Sequence, residues 1–256
     1  MASLMLDKIQ DALNEISTRE NVKILFACKS GSRAWGFASP DSDYDVRFIY
    51  LRPKEYYLSI DEKKDVIELP VNEILDVSGW DVRKALRLFR GSNAVIYEWL
   101  QSPIVYLSET GFQKNLWSLA PDYFSLRAGM HHYLSMAINT FQNELQTNEV
   151  KLKKYFYALR PILACKWISE KKEVPPMVFQ ELLTIIHTDK KIVSCINTLT
   201  EIKAVSDEKK IIPRNDMLNE FIQNEIHSCD EIAKTISRKD VDNQKLNDFF
   251  RSLNES

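Results

Sequence analysis

Two aspartates, Asp43 and Asp45, stand two residues apart at the head of a β-branched and aromatic run, Tyr44 to Leu51. Alternate side chains of a strand share a face, so this spacing aims both carboxylates the same way, with α-carbons roughly 7 Å apart. Paired anions repel unless a cation lies between them, and hard oxygen ligands suit Mg²⁺ or Mn²⁺. Shortly upstream, Ser30-Gly31-Ser32 forms a small-residue turn after one apolar run and before a short helical one. Gly31 lets backbone amides approach an anion closely, a helix N-terminus favours phosphate, and the Ser32 hydroxyl adds a donor. The other strand face, Tyr44, Val46 and Phe48, is apolar and anchors the carboxylates in a core. Paired carboxylates on a rigid strand beside a phosphate-binding turn are what metal-assisted phosphoryl or nucleotidyl transfer requires.

Basic residues near these positions carry two readings each. Arg33 and Arg47 either contact phosphate through bidentate donors or pair with the local carboxylates and stiffen the site. Lys153, Lys154 and Arg160 lie in one helical pattern. Lys153 and Arg160 share a helix face, and Lys154 lies about 100° around from Lys153. They face either a triphosphate or RNA, or solvent. Pro161 in the same pattern predicts a kink or a new helix start. His131 and His132 have no partner at ligand spacing and read as packing or hydrogen-bonding residues. Trp35, Trp80, Trp99 and Trp167 read as packing, with Trp35 close enough to Gly31 to leave a role at the site open.

The elements that must position these groups divide into two textures. Met5, Ile9, Leu13 and Ile16 recur at helical spacing. Val22 to Cys28 and Tyr44 to Leu51 read as strands, and Val66 to Leu69 and Glu73 to Ser78 as further strands separated by Pro70 and Asn72. Asp81 is placed to cap a helix starting at Val82. After Pro121, Met130 to Leu145, Val150 to Lys171, Val178 to Ile186, Lys190 to Val205, Met217 to Ile236 and Asp240 to Leu253 carry helical periodicity, with no convincing strand. The expectation is an α+β chain: a small mixed-sheet domain over residues 1–120 and an all-α helical bundle over 121–256. Ser206 to Lys210 reads as a polar connection.

Composition excludes several classes. A net charge of −2 over 256 residues argues against a non-specific nucleic-acid coat or a polybasic membrane anchor. No apolar run is long enough to span a bilayer, and Asp7, Lys8 and Asp11 interrupt any signal-peptide core. Cys28, Cys165, Cys195 and Cys229 are scattered, with no C-x-x-C pair, so neither a disulfide framework nor a zinc site is expected. A cytoplasmic protein with reduced thiols is the expectation.

Gly31-Ser32 followed by Asp43-Tyr44-Asp45 resembles the DNA polymerase β-like nucleotidyltransferase superfamily. Gly31-Ser32-Arg33-Ala34-Trp35-Gly36 and Asp41-Ser42-Asp43-Tyr44-Asp45-Val46-Arg47 are similar to its bacterial and phage branch associated with RNA repair. The resemblance extends through Ser78-Gly79-Trp80-Asp81-Val82-Arg83-Lys84, Asn93 with Glu98-Trp99-Leu100, and Lys153-Lys154-Tyr155 with Ala158-Leu159-Arg160-Pro161. It implies that Asp43 and Asp45 bind the metal ions with a third carboxylate from a neighbouring strand. Asp76 is preferred for that place, since Asp81 precedes a helix and suits a capping role. It further implies a nucleoside triphosphate as donor, and an RNA end or a protein side chain as acceptor; it leaves the oligomeric state open. Glu98 looks functional by the resemblance alone. Lys29 departs from the pattern, which has an acidic residue there; it either aids triphosphate binding or marks an impaired site.

Overall fold

In the computed structural model, which describes residues 2–61, 64–70 and 74–255, the first element is helix α1 (Ala2–Arg19). Its stripe of Ile9, Leu13 and Ile16 is fully buried, and Asn21, at φ 50°, turns the chain out of it. There follow β1 (Lys23–Ser30), α2 (Gly31–Trp35), β2 (Tyr44–Leu51), α3 (Lys54–Tyr57) and β3 (Val66–Glu68). Next come β4 (Leu75–Asp81), α4 (Val82–Arg90), α5 (Ala94–Leu100) and β5 (Val105–Ser108). The five strands form one mixed sheet in the order β3-β4-β2-β1-β5. Strands β2 and β4 are parallel, and the other neighbours are antiparallel.

The rest of the chain is mostly helical: α6 (Phe112–Ser118), α7 (Ala120–Tyr123), α8 (Leu126–Glu144), then strand β6 (Glu149–Lys151) and α9 (Leu152–Lys171). After these come α10 (Phe179–Leu183) with a 3-10 turn (Thr184–Ile186), α11 (Lys190–Val205), β7 (Ile211–Pro213), α12 (Asp216–Thr235) and α13 (Gln244–Leu253). Mixed sheet followed by helices is the architecture the sequence predicts, with one correction. Strands β6 and β7 pair inside the helical half. At three residues each they are too short to leave a periodic signal; only Val150 among the six is buried.

Other differences have local causes. The sequence ends a strand at Ser78, yet β4 runs to Asp81, and Ser78-Gly79 lies inside it. Gly79 belongs to the strand because the Phe48 ring lies over its α-carbon, and a Cβ there would collide with the ring. The sequence starts this strand at Glu73, after a break at Asn72; both lie outside the described residues. Pro161 neither ends α9 nor starts a new helix. It is fully enclosed, with buried neighbours on both sides, so packing offsets the lost hydrogen bond. Strand β5, which the sequence does not announce, is a four-residue edge strand.

The sheet separates two cores. On one face Val46, Phe48, Tyr50 and Val77 pack under α1. On the other, Phe26, Cys28 and Ile49 join a buried cluster that includes Phe89, Trp99, Tyr133, Phe156, Leu163 and Ile222. That cluster runs without interruption across residue 120, so the helical half covers the second face of the sheet. Among the described residues no helix is long and apolar enough to cross a membrane.

Candidate active site

Strand β2 alternates as the spacing predicts. Val46 and Phe48 face the core under α1, while Asp45, Arg47 and Ile49 occupy the opposite face. Asp43 is exposed and sits one residue ahead of the strand. The neighbouring strand adds Asp76, which lies in register with Asp45 across the parallel β2–β4 pair. Asp81 sits at the other end of β4 and caps α4, accepting from the Arg83 amide at 2.8 Å and the Tyr57 hydroxyl at 2.9 Å. Sequence alone could order Asp43 and Asp45; only strand pairing brings Asp76 beside Asp45.

Arg47 lies between the two in-register carboxylates. Its Nη2 donates to Asp76 Oδ2 at 2.7 Å and to Asp45 Oδ1 at 3.0 Å, while Nη1 donates to the Val46 and Asp76 carbonyls. Of the two readings open for Arg47, the structure has it pairing with the site's own carboxylates. Burial pushes the Asp45 carboxyl up, Arg47 pulls it back, and the charges of Asp76 and Asp43 push it up again; the net position is above its ordinary value. Among the described residues no three carboxylate, imidazole or thiolate groups converge into a ready-made metal cage. The donor set nonetheless suits a hard divalent cation: it is all carboxylate, Arg47 engages one oxygen each of Asp45 and Asp76, and crowding of like charge raises Asp45.

Gly31 opens α2 at φ +65° directly against this group. A Cβ there would collide with Asp45 Oδ2 and stand 2.8 Å from its Cγ. Glycine is therefore required twice, by backbone conformation and by the closeness of the carboxylate. Gly31→Ala is expected to lower stability by about 1–3 kcal/mol in urea unfolding and to displace Asp45. A variant that unfolds at the wild-type urea concentration would contradict this packing.

Gly31, Ser32, Asp43, Asp45 and Lys153 line one cleft of about 350 Å³, together with Trp35, Asp41, Ser42, Tyr157 and Glu208. Larger clefts lie elsewhere among the described residues: two hold a single carboxylate each, and a third, of about 590 Å³, is lined by Glu20, Asp65 and Glu68 but has no glycine-serine turn. Tyr157 is four residues after Lys153 on α9, so helical spacing would have found it. Glu208 has no such signal: it lies in the segment that reads as a mere polar connection. Its carboxylate accepts from the Ser42 hydroxyl, from Lys203 at 3.1 Å and from Lys153 at 3.4 Å, and its amide donates to Asp41 at 3.0 Å. Lys203, 2% exposed, also donates to the Ser39 hydroxyl at 2.9 Å. The second half thus clamps the loop that carries Asp43. Burial pushes the Glu208 carboxyl up, but bonds from Ser42 and Lys203 and the charges of Lys203 and Lys153 together bring it below its ordinary value.

The remaining basic candidates are employed elsewhere. Arg33 donates to the Ser42 and Pro40 carbonyls at 2.9 and 3.2 Å and stacks 4.2 Å from the Tyr44 ring, so it braces the loop. Lys154 points to Glu144 at 2.8 Å, one helix row away from Lys153. Arg160 faces neither solvent nor the cleft. At 3% exposure it pairs with Glu98 at 3.0 Å, donates to the Met177 carbonyl and lies 4.6 Å from the Trp35 ring. Glu98 also accepts from Trp35 Nε1 at 3.2 Å and Tyr133 at 2.9 Å. This buried pair supports the indole that lines the cleft. Helical periodicity correctly puts Lys153 and Arg160 on one face, but not how deeply that face enters the core as α9 proceeds.

Lys29 pairs across the sheet with Val46, so its side chain leaves the face opposite Asp45. Its ammonium stands 5.6 Å from the Tyr44 ring, and burial with the nearby Arg33 charge lowers its pKa. His132 packs edge-on against Tyr133, and Trp80 stacks on Trp99 at 4.0 Å, both as packing residues.

Comparison with known proteins places these residues in context. A family model described as RlaP, RNA repair pathway DNA polymerase beta family, matches residues 5–252. "Uncharacterized protein YcgL" of Bacillus subtilis (strain 168) is 44% identical over 238 residues, which cover 93% of this chain and 92% of that protein. The crystal structure of a nucleotidyltransferase-like protein from Exiguobacterium sibiricum 255-15 matches 90% of this chain and 75% of that chain. Its identity is 12% and its TM-score 0.34, a likeness too distant to carry an argument.

Proposed function

The chain belongs to the RNA repair pathway DNA polymerase beta family, and on that premise we propose that it moves a nucleoside monophosphate from a nucleoside triphosphate to an acceptor hydroxyl. Pyrophosphate is the second product, and the acceptor is an RNA end. The observation that carries this reading is the register of Asp45 with Asp76 on parallel strands, with Asp43 beside them, against the Gly31-Ser32 turn.

Asp43, Asp45 and Asp76 would hold Mg²⁺ or Mn²⁺. Such ions, when bound, lower the pKa of an attacking hydroxyl and neutralise the leaving pyrophosphate. Arg47 keeps Asp45 and Asp76 facing each other. Gly31 lets the Asp45 carboxylate lie against the turn, and the Ser32 hydroxyl next to it is a donor for the triphosphate. Lys153 exchanges its Glu208 partner for a phosphate oxygen, a low-cost step because the pair at 3.4 Å is partly exposed. Trp35 and Tyr157 supply aromatic walls against which a base can lie. Lys29, Arg33, Lys154 and Arg160 take no direct part in this scheme.

The test is pyrophosphate release with each of the four ribonucleoside triphosphates, Mg²⁺ or Mn²⁺, and pooled bacterial RNA, with Asp43→Ala as control. Release that depends on Asp43, with label appearing in RNA, is the expected result. Label in polypeptide would move the acceptor to a protein side chain. Nucleotide binding without any release would leave a silent nucleotide-binding module.

A further inference from the structure

A second surface, sharing no residue with the catalytic cleft, has the chemistry of a nucleic-acid track. Where the end of α4, the start of α8 and the segment after α12 meet, a cleft of about 780 Å³ is lined by Arg90, Arg127, His131, Arg238 and Lys239. Asp240 is the one carboxylate in that lining. In a chain of net charge −2, four permanent cations against one anion is a segregated charge, not an average one. Among the described residues these cations form no ion pair. Arg90 donates to Asn243 Oδ1 at 2.9 Å, Arg127 to the Ile236 carbonyl at 3.1 Å and Lys239 to the Pro121 carbonyl at 2.7 Å, all neutral oxygens. These three are held in place while their charge is retained, and Arg238 is exposed beside them.

Two adjoining features extend the surface. Along α4, Arg83, Arg87 and Arg90 all line a smaller neighbouring cleft and lead into the basic one. On its other side, sharing Lys239, lies a cleft of about 820 Å³ with walls that include Trp117, Phe124, Leu126 and Ile236. A row of arginines matches the repeat of a phosphodiester backbone, and an apolar, aromatic-walled recess beside it suits a base turned out of a stack. Asp81, which caps α4, lies five residues or roughly 16 Å along β4 from Asp76. Occupants of this surface therefore need not compete with a nucleotide at the carboxylates.

We propose that this surface binds a single-stranded segment of RNA, phosphates on Arg90, Arg127, Arg238 and Lys239 and a base in the Trp117–Phe124 recess. It would dock the body of the molecule whose end is presented to the catalytic cleft. The inference rests on the reading that the acceptor is RNA, but the binding can be measured without turnover.

The experiment titrates the full chain into a 5′-fluorescein-labelled, mixed-sequence, single-stranded RNA oligonucleotide over a range of salt concentrations. It compares wild type, Asp43→Ala and the triple variant Arg90→Gln/Arg127→Gln/Arg238→Gln, whose positions are all exposed. The triple variant is expected to bind RNA at least tenfold more weakly, with a log–log salt slope shallower by about two, since three phosphate contacts are lost at about 0.7 each. It should still bind nucleoside triphosphate like wild type, which shows that it is folded, and Asp43→Ala should bind RNA like wild type. Unchanged RNA affinity in the triple variant would overturn the proposal, as would a wild type that binds no RNA. Polyglutamate displacing the RNA and binding more tightly would also overturn it, in favour of an acidic protein partner. Groove-dependent RNA binding without any pyrophosphate release would remove the catalytic reading and leave the surface standing.

Discussion

Asp45→Asn is expected to lower nucleotidyl transfer by at least about 100-fold, the scale on which removing one transition-state-stabilising group acts, while the protein keeps or slightly gains thermal stability. Both parts follow from the same environment. Asp45 is half-buried, beside Asp76 and Asp43, and burial holds its carboxyl above its ordinary value in the folded state. A raised folded-state pKa means that the native protein binds this proton more tightly than the unfolded chain does. Stability then falls as pH rises from the ordinary value, near 3.9, through the raised one. At neutral pH the ionised form is therefore a burden on the fold, and asparagine removes it while Oδ1 can still accept from Arg47. Thermal melts and pyrophosphate release on the same preparations check both. A variant that retains transfer would remove Asp45 from the metal set, and a markedly less stable one would show its charge to be structurally required.

Glu98→Ala is expected to have the largest effect on stability of any single polar substitution considered. Glu98 is 7% exposed and Arg160 3%. Truncating the acid leaves an enclosed guanidinium whose one remaining hydrogen-bond acceptor among the described residues is the Met177 carbonyl. Breaking a buried pair from one side costs about 3–5 kcal/mol, which in a chain of this length lowers Tm by roughly 6–20 °C. Trp35 and Tyr133 lose an acceptor in the same step. The double variant Glu98→Leu/Arg160→Met should recover much of that loss, because no buried charge remains. Nucleotide binding should weaken in both, since the Trp35 indole loses its acceptor in each and, in the double variant, the guanidinium against it as well. Calorimetric melts of wild type, Glu98→Ala and the double variant decide the matter. A loss below about 1 kcal/mol for Glu98→Ala would show that the pair is not the buried charge network described.

How legible was this protein in its sequence? Tyr44 to Leu51 and the start of α4 at Val82 could be read residue by residue. Each combines a period, 2 or 3.6, with an end signal such as Asp81, and both act within a few residues. Lys190 to Val205 likewise coincides with α11. The short elements, β5, β6 and β7, were invisible because three or four residues contain no measurable period and are held by partners far along the chain. Gly79 shows the same limit: its neighbours suggest a turn, and the ring that requires a glycine inside a strand comes from Phe48 on β2.

The site divides along the same line. The Gly31-Ser32 turn and the Asp43, Asp45 pair were set by the sequence itself, because their chemistry depends on spacing within one segment. Asp76 needed strand pairing to become a neighbour of Asp45, and Glu208 needed the helical half to fold back onto the Ser39–Ser42 loop. The roles of Arg33, Arg47, Lys154 and Arg160 were open until tertiary structure placed an acceptor beside each. A long cation can reach several Å in any direction, so its partner is decided by what the fold brings within that radius. Carboxylates fixed on a strand have no such freedom, and their geometry follows from the backbone that carries them.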